Sequence, residues 1–359
     1  MQLSITLHNL LTFKFIYFMK KVFGLAVLIA AFVGVFSCNR IENPQVNEAD
    51  QLQNLPATKA QGFGLWSAVY VETNDVNPLN AMDYEVMDIP FFDIVELFAS
   101  NIHKETTEEG EVRPTLYLND KLTPVLENGG VNTYVRPLQA KGIKVLLTVL
   151  GDWQGIGVAN MTDTQADQFA AILAYAVEKY GLDGIGFDDE YADYPLFGSG
   201  AVNNTSYSRI ITKLHELMPS NKLITVFDWG NTDTISSEAA AYINYVYHGA
   251  FGFYLGLEYC NIPGITNDEW SPISLNLGTD YNTDQVRGWA ESAVEEGYGG
   301  MMCFNLRMKS DNNPLPELQA LSDGAYGGLE VTCDNGDRPR DAGSVPAGYT
   351  ITYDMATAE

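Results

Sequence analysis

The chain of 359 residues carries 46 Asp and Glu against 20 Lys and Arg, a formal net charge of −26. So large an acidic excess excludes nucleic acid and anionic membrane surfaces as partners, because phosphate binding needs clustered cations; a neutral ligand such as a sugar stays compatible. The length suffices for one large domain or two medium ones with a buried core.

From Met19 to Cys38 the sequence reads MKKVFGLAVLIAAFVGVFSC, a basic start, an apolar core and small residues before a cysteine. The core is shorter than the ~20 residues of a spanning helix, so a cleaved export signal is expected in place of a transmembrane anchor. The stretch resembles a bacterial lipoprotein signal, with Val35, Phe36 and Ser37 ahead of Cys38. That resemblance implies lipid on Cys38 as the first mature residue, export to the cell envelope and membrane contact only through the anchor. Residues 1–37 are then signal, with Met19 a possible true start, and 38–60 a polar tether.

From Gly62 onward strand-like and helix-like stretches alternate, the sign of βα units and a parallel sheet. The expected strands are Leu65 to Val71, Asp93 to Ala99, Lys144 to Val149, Gly184 to Phe187, Leu223 to Phe227, Tyr242 to Tyr247, Ile273 to Leu277 and Gly300 to Phe304. Helices with an apolar stripe are expected over Pro124 to Lys141, Asp163 to Tyr180 with Thr162 as cap, Tyr207 to Met218 and Asp284 to Gly297. The fold class is α/β, a (β/α)8 TIM barrel in one domain over 61–322. Residues 323–359, rich in Gly, Asp and Pro with one strand-like alternation at Tyr349 to Tyr353, form an extension that packs on the barrel or stays loose. Cys260, Cys303 and Cys333 show no metal or disulfide spacing, and the histidines are scattered, so no metal and no cofactor is implied.

The chemistry concentrates in GLDGIGFDDEYADY, residues 181–194, where an apolar strand runs into carboxylates. In an acidic chain such a run also forms solvated faces or helix caps. At the end of a barrel strand it falls where these folds place chemistry. Extended backbone puts Asp188 and Glu190 on one side, with Cα atoms ~6.6 Å apart, close enough for each carboxylate to perturb the other. A protonated acid beside an ionised carboxylate is equipment for general acid catalysis.

The other strand ends supply sugar-binding candidates: Tyr70 after the first, Phe98 and Asn101 after the second, Asp152, Trp153 and Gln154 in GDWQG after the third. Phe227, Asp228 and Trp229 follow at the fifth, Asn305 at the eighth, and Asp189 and Tyr191 flank the carboxylate pair. Aromatic faces with amides and carboxylates suit a carbohydrate.

Asp183, Gly184, Asp188 and Glu190 resemble the DGxDxDxE strand of glycoside hydrolase family 18. RPLQAKGIKVLLTVLGDWQG (136–155), YGLDGIGFDDEYADY (180–194) and EEGYGGMMCFNL (295–306) are similar to stretches of its endoglycosidase H branch, the endo-β-N-acetylglucosaminidases. The resemblance implies cleavage of the chitobiose core of N-glycans, with a chitinase or a non-catalytic glycan-binding barrel of a surface glycan-uptake assembly as alternatives. It implies Glu190 as acid and then base, Asp188 as orienter of the substrate acetamide, and retention through an oxazolinium. Two positions depart from the pattern. Gly186 replaces the middle aspartate, and the tyrosine that steadies the acetamide carbonyl falls on Ala250, leaving Tyr247, His248 or Tyr254 as substitutes.

Overall fold

The computed structural model describes residues 64–194, 201–307 and 313–358; the signal and tether expected over 1–60, Cys38 included, lie outside them. Eight parallel strands close a barrel: β1 Trp66–Glu72, β2 Ile94–Thr106, β3 Lys144–Leu150, β4 Gly184–Asp188, β5 Leu223–Asp228, β6 Tyr245–His248, β7 in two pieces at Trp270–Ser271 and Ile273–Asn276, and β8 Gly300–Phe304. Each pairs with its neighbours in chain order, and β8 returns to β1. Pro272, which has no N–H to give a ladder, splits β7: its first piece pairs with β6 and its second with β8.

All eight expected strands are present. The sixth begins at Tyr245 instead of Tyr242 because Tyr242 and Ile243 donate backwards to Ala239 and Ala240, closing the short helix before it. The run expected as one helix over Pro124 to Lys141 is broken into α1 Thr123–Leu126, a π turn at Val131–Val135 and α2 Arg136–Ala140. Asn128 and Gly129 adopt φ of 53° and 91°, and a Cβ on Gly130 would lie 2.2 Å from the Pro124 carbonyl. The chain folds back tightly there, which a helix does not allow.

Helix α3, Asp163–Tyr180, starts at the expected Thr162, whose side chain and that of Gln165 form a reciprocal capping box, and ends on left-handed Gly181. Helices α4 Ser206–Leu217, α5 Ser237–Ala240 and α6 Thr283–Glu295 follow β4, β5 and β7. Helix α7, Leu315–Ala325, follows β8 and was not foreseen; it runs through the boundary drawn at 322. No α-helix follows β1 or β6 among the described residues, only 3-10 turns at Pro78–Asp83 and Leu257–Tyr259, so the helical ring departs from eight units.

The extension does pack. Val331–Cys333 pairs with Tyr84–Val86, and Tyr349–Ile351 adds an edge to Val112–Leu118, which itself runs antiparallel to the overhang of β2. Arg338 grips the buried Asp83 with two bonds of 2.7 and 2.6 Å. Removing one partner of such a pair leaves a buried charge uncompensated. Arg338→Ala is therefore expected to cost about 2 kcal/mol, measured as a lower denaturant midpoint with an unchanged m-value.

Candidate active site

Alternation along β4 sends Gly184, Gly186 and Asp188 into the barrel and Phe187 outward, where its ring meets Tyr207 of α4 with centroids 5.7 Å apart. The barrel interior is apolar low down, with Trp66, Ala68, Ile94, Leu146 and Met302, and becomes aromatic higher up. There Tyr70 makes edge contacts with Phe98, Phe227 and Tyr247 at 5.8, 6.2 and 5.7 Å. Asp188 ends β4 above this floor. Burial first, then the charges of Glu190 and Asp189, push its carboxyl well above the usual range, and its Oδ1 is buried without a hydrogen-bond partner among the described residues.

The strand stops at Asp188, so Glu190 belongs to the following turn and is only partly buried. Its backbone is held by the loop after β3. Gly151 N–H donates to the Glu190 carbonyl at 3.0 Å, Trp153 N–H to Tyr191 at 2.6 Å and Gly155 N–H to Ala192 at 3.0 Å. A Cβ on Gly151 would stand 2.4 Å from the Glu190 oxygen and 2.5 Å from Ala192 N, both backbone atoms. Gly151→Ala is expected to part the two loops and lower kcat about tenfold or more, since misplacement of ~1 Å is costly, while circular dichroism stays that of a folded barrel.

Two of the expected sugar ligands are engaged by loop residues. Asp189 is buried and accepts from the Tyr194 hydroxyl and from both the backbone and the side chain of Asn231, at 2.9 and 2.8 Å for the latter two. Asp228 accepts from the Thr232 hydroxyl and from Asn261 through its backbone at 2.9 Å and its amide at 3.1 Å. Both carboxylates pin loops. Asn231 and Asn261 lie 42 and 33 residues from the carboxylates they hold, and the strand-end position alone does not reveal them.

Nor do the three substitutes expected for Ala250 reach the mouth as donors. Tyr247 is fully buried, with its hydroxyl 3.3 Å from Glu96. His248 is buried, its acidity pushed to about 4 by desolvation; Nδ1 accepts from Ala250 N–H at 3.2 Å and Nε2 faces the Phe253 carbonyl at 3.1 Å. Tyr254 lies in the antiparallel piece Phe253–Tyr254 and packs edge-on beside Tyr298, with centroids 6.4 Å apart.

The polar candidates line the mouth through mutual bonds. Asn101 Nδ2 donates to the Gly151 carbonyl at 3.2 Å, and Gln154 Nε2 to the Asp152 carbonyl at 3.1 Å. Asp152 pairs with His103 at 2.7 Å, whose ring stacks on Tyr117. Asn305, with φ 61°, donates its N–H to Glu72 at 3.0 Å and its amide to Asn276 at 2.9 Å. Around them Trp153 and Tyr191 are exposed, at positive φ and with centroids 5.5 Å apart. Trp229 and Phe251 extend the exposed rim, Phe251 lying against Phe227 and Phe304. Phe251 is a further rim residue beyond the strand-end candidates; the Gly and Phe in GAFGFY, just past the sixth strand, were its signal.

With Asp189 and Asp228 committed to loops, a buried carboxyl and a more open one remain at the end of β4 beneath an aromatic rim, the equipment of a barrel glycoside hydrolase. No family model matches the chain. It is 32% identical over 270 residues to an endo-β-N-acetylglucosaminidase of Flavobacterium sp. (strain SK1022), covering 74% of this chain and 81% of that one. It is 31% identical over 312 residues to endo-β-N-acetylglucosaminidase F1 of Elizabethkingia meningoseptica, covering 81% and 88%. Among solved structures, EndoBT-3987 of Bacteroides thetaiotaomicron in complex with Man9GlcNAc2Asn substrate superposes with a TM-score of 0.64 at 25% identity, over 83% of this chain and 73% of that one. A chitinase of the same organism, at 12% identity and a TM-score of 0.50, covers 73% of this chain and 96% of that one and shares the fold. The chain belongs to the endo-β-N-acetylglucosaminidases of glycoside hydrolase family 18 and is a glycosidase.

Proposed function

We propose that this endo-β-N-acetylglucosaminidase cuts between the two N-acetylglucosamines of the N-glycan core by substrate-assisted catalysis. The observation that carries the reading is Asp188 Oδ1, a buried acceptor with nothing to accept among the described residues. Most buried acceptors are hydrogen-bonded, and at the end of a barrel strand the N–H of a 2-acetamido group is the donor this chemistry brings. Asp188 then turns the acetamide so that its carbonyl oxygen bonds C1 as Glu190 gives its proton to the leaving oxygen. Water next attacks C1 and yields a proton to Glu190 while the oxazolinium ring opens. Two inversions retain the β configuration. The relative solved with Man9GlcNAc2Asn supports a mannose-bearing substrate.

Mass spectrometry of a defined N-glycoprotein panel, with chitin oligosaccharides alongside, incubated with residues 39–359 tests this. A single N-acetylglucosamine left on Asn supports it. Saturable binding without release, or release from chitin alone, overturns it.

We further propose that the chain is exported and lipid-anchored through Cys38, on the strength of the Met19–Cys38 pattern. Incorporation of a labelled fatty acid that Cys38→Ala abolishes supports this, and an unlabelled soluble protein counts against it. Proteins that co-purify with the lipidated chain from membranes would give it a place in a glycan-uptake assembly.

A further inference from the structure

Gly186 is the inward-facing position of β4 one step below Asp188, and in the sheet register it sits between Thr148 of β3 and Thr225 of β5. A Cβ there would stand 2.3 Å from Glu96 Oε2 and 2.8 Å from Thr225 Oγ1. The space is already filled, from β2. Glu96, fully buried, accepts the Thr225 hydroxyl on Oε1 at 2.6 Å and the Thr148 hydroxyl on Oε2 at 3.1 Å. The Tyr247 hydroxyl approaches Oε1 at 3.3 Å. The two hydroxyls that flank Gly186 thus converge on a carboxyl brought in from two strands away.

A carboxyl this deep costs more than an apolar side chain of the same volume, and no Lys or Arg among the described residues offsets it. Stability alone does not explain its presence. Tyr70, its register partner on β1, has a buried hydroxyl with no hydrogen-bond partner among the described residues. Burial, then the charges of Glu96, Tyr247 and Asp188, raise the proton affinity of that hydroxyl, so it lies within electrostatic reach of both carboxyls.

We infer that Glu96 is a positioning residue of the hydrolytic site, supplying from β2 the buried carboxyl that Gly186 leaves out of β4 and fixing the hydroxyl floor beneath Asp188. Burial, relieved by the Thr225, Thr148 and Tyr247 hydroxyls, pushes Glu96 up to about 7. The titratable groups facing it are Tyr70 from β1, Tyr247 from β6 and, beyond Tyr70, Asp188 from β4.

The inference rests on the proposed roles of Asp188 and Glu190, and its test is a cycle of Glu96→Ala, Gly186→Asp and the double variant, with Glu96→Gln beside it. Kinetics are read on a labelled N-glycopeptide, and binding on N-acetylglucosamine thiazoline, a mimic of the oxazolinium that needs no turnover. Each single substitution should lower kcat/KM about tenfold or more, and the double variant should return to within about threefold of the native chain, because the carboxyl is restored between the same threonines. Glu96→Gln should move the alkaline limb of the pH–rate profile toward acid by about half a unit or more, since the negative charge that Glu96 carries above about 7 no longer opposes ionisation nearby. Additive losses in the double variant, or a Glu96→Gln profile scaled down without a shift, would overturn the inference. A native chain that releases no glycan sinks the hydrolase reading instead. The same loss and recovery in thiazoline Kd then supports a role for Glu96 in the acetamide site, and a flat Kd across the cycle rejects it.

Discussion

Glu190→Gln is expected to lower kcat for N-glycan release about 10⁴-fold, the upper end of what a positioned general acid contributes, while the Kd for a glycopeptide changes little. Glutamine keeps the shape of the side chain in the turn that Gly151, Trp153 and Gly155 hold through the backbone, so geometry survives and only the transferable proton is lost. Both halves of the reaction need that group, first as acid and then as base, and no third carboxylate stands ready in β4: Asp189 is occupied by Tyr194 and Asn231. Single-turnover kinetics with calorimetric binding on the same preparation check the split. A variant that cleaves at the native rate would remove Glu190 from the chemistry.

Asp188→Asn is expected to lower kcat about 10²- to 10³-fold, comparable with losing a preorganised group opposite developing charge. The amide keeps an acceptor for the acetamide N–H but removes the negative charge that steadies the oxazolinium. The loss should therefore appear in kcat more than in KM. Substrates with a less nucleophilic 2-trifluoroacetamido group should slow the native enzyme strongly and the variant much less. Equal slowing of both would mean that Asp188 does not act on the acetamide.

Much of this was legible in the chain. Runs such as KVLLTVL are buried on both faces in a barrel and read as parallel strands, and Thr162 with Gln165 spelled out a helix start. What escaped depends on contacts that periodicity and strand-end position do not register. The tight return at Gly130 is set by the Pro124 and Val125 backbone, and helical periodicity alone does not sense it. Asp188, Asp189 and Asp228 look alike as strand-end carboxylates; only Asn231, Tyr194 and Asn261 separate the two that hold loops from the one left open. Glu96, set between Val95 and Leu97 within FFDIVELFAS, was a visible oddity, a charge in the apolar part of a strand. Its connection to Gly186 needed three dimensions.

The pairing of Val331–Cys333 and Tyr349–Ile351 with strands near the start of the domain bears on how the chain acquires its shape. These are contacts of very high sequence separation, and β1 likewise waits for β8. Loop-closure entropy must be met before such contacts reward it, so the final ordering step is slow and late. During synthesis the sheet stays open-edged until its last strands have left the ribosome. A stop codon ahead of Tyr349 would remove that edge strand together with the short helix Tyr353–Thr357 and leave the edge of Val112–Leu118 free to pair with another molecule.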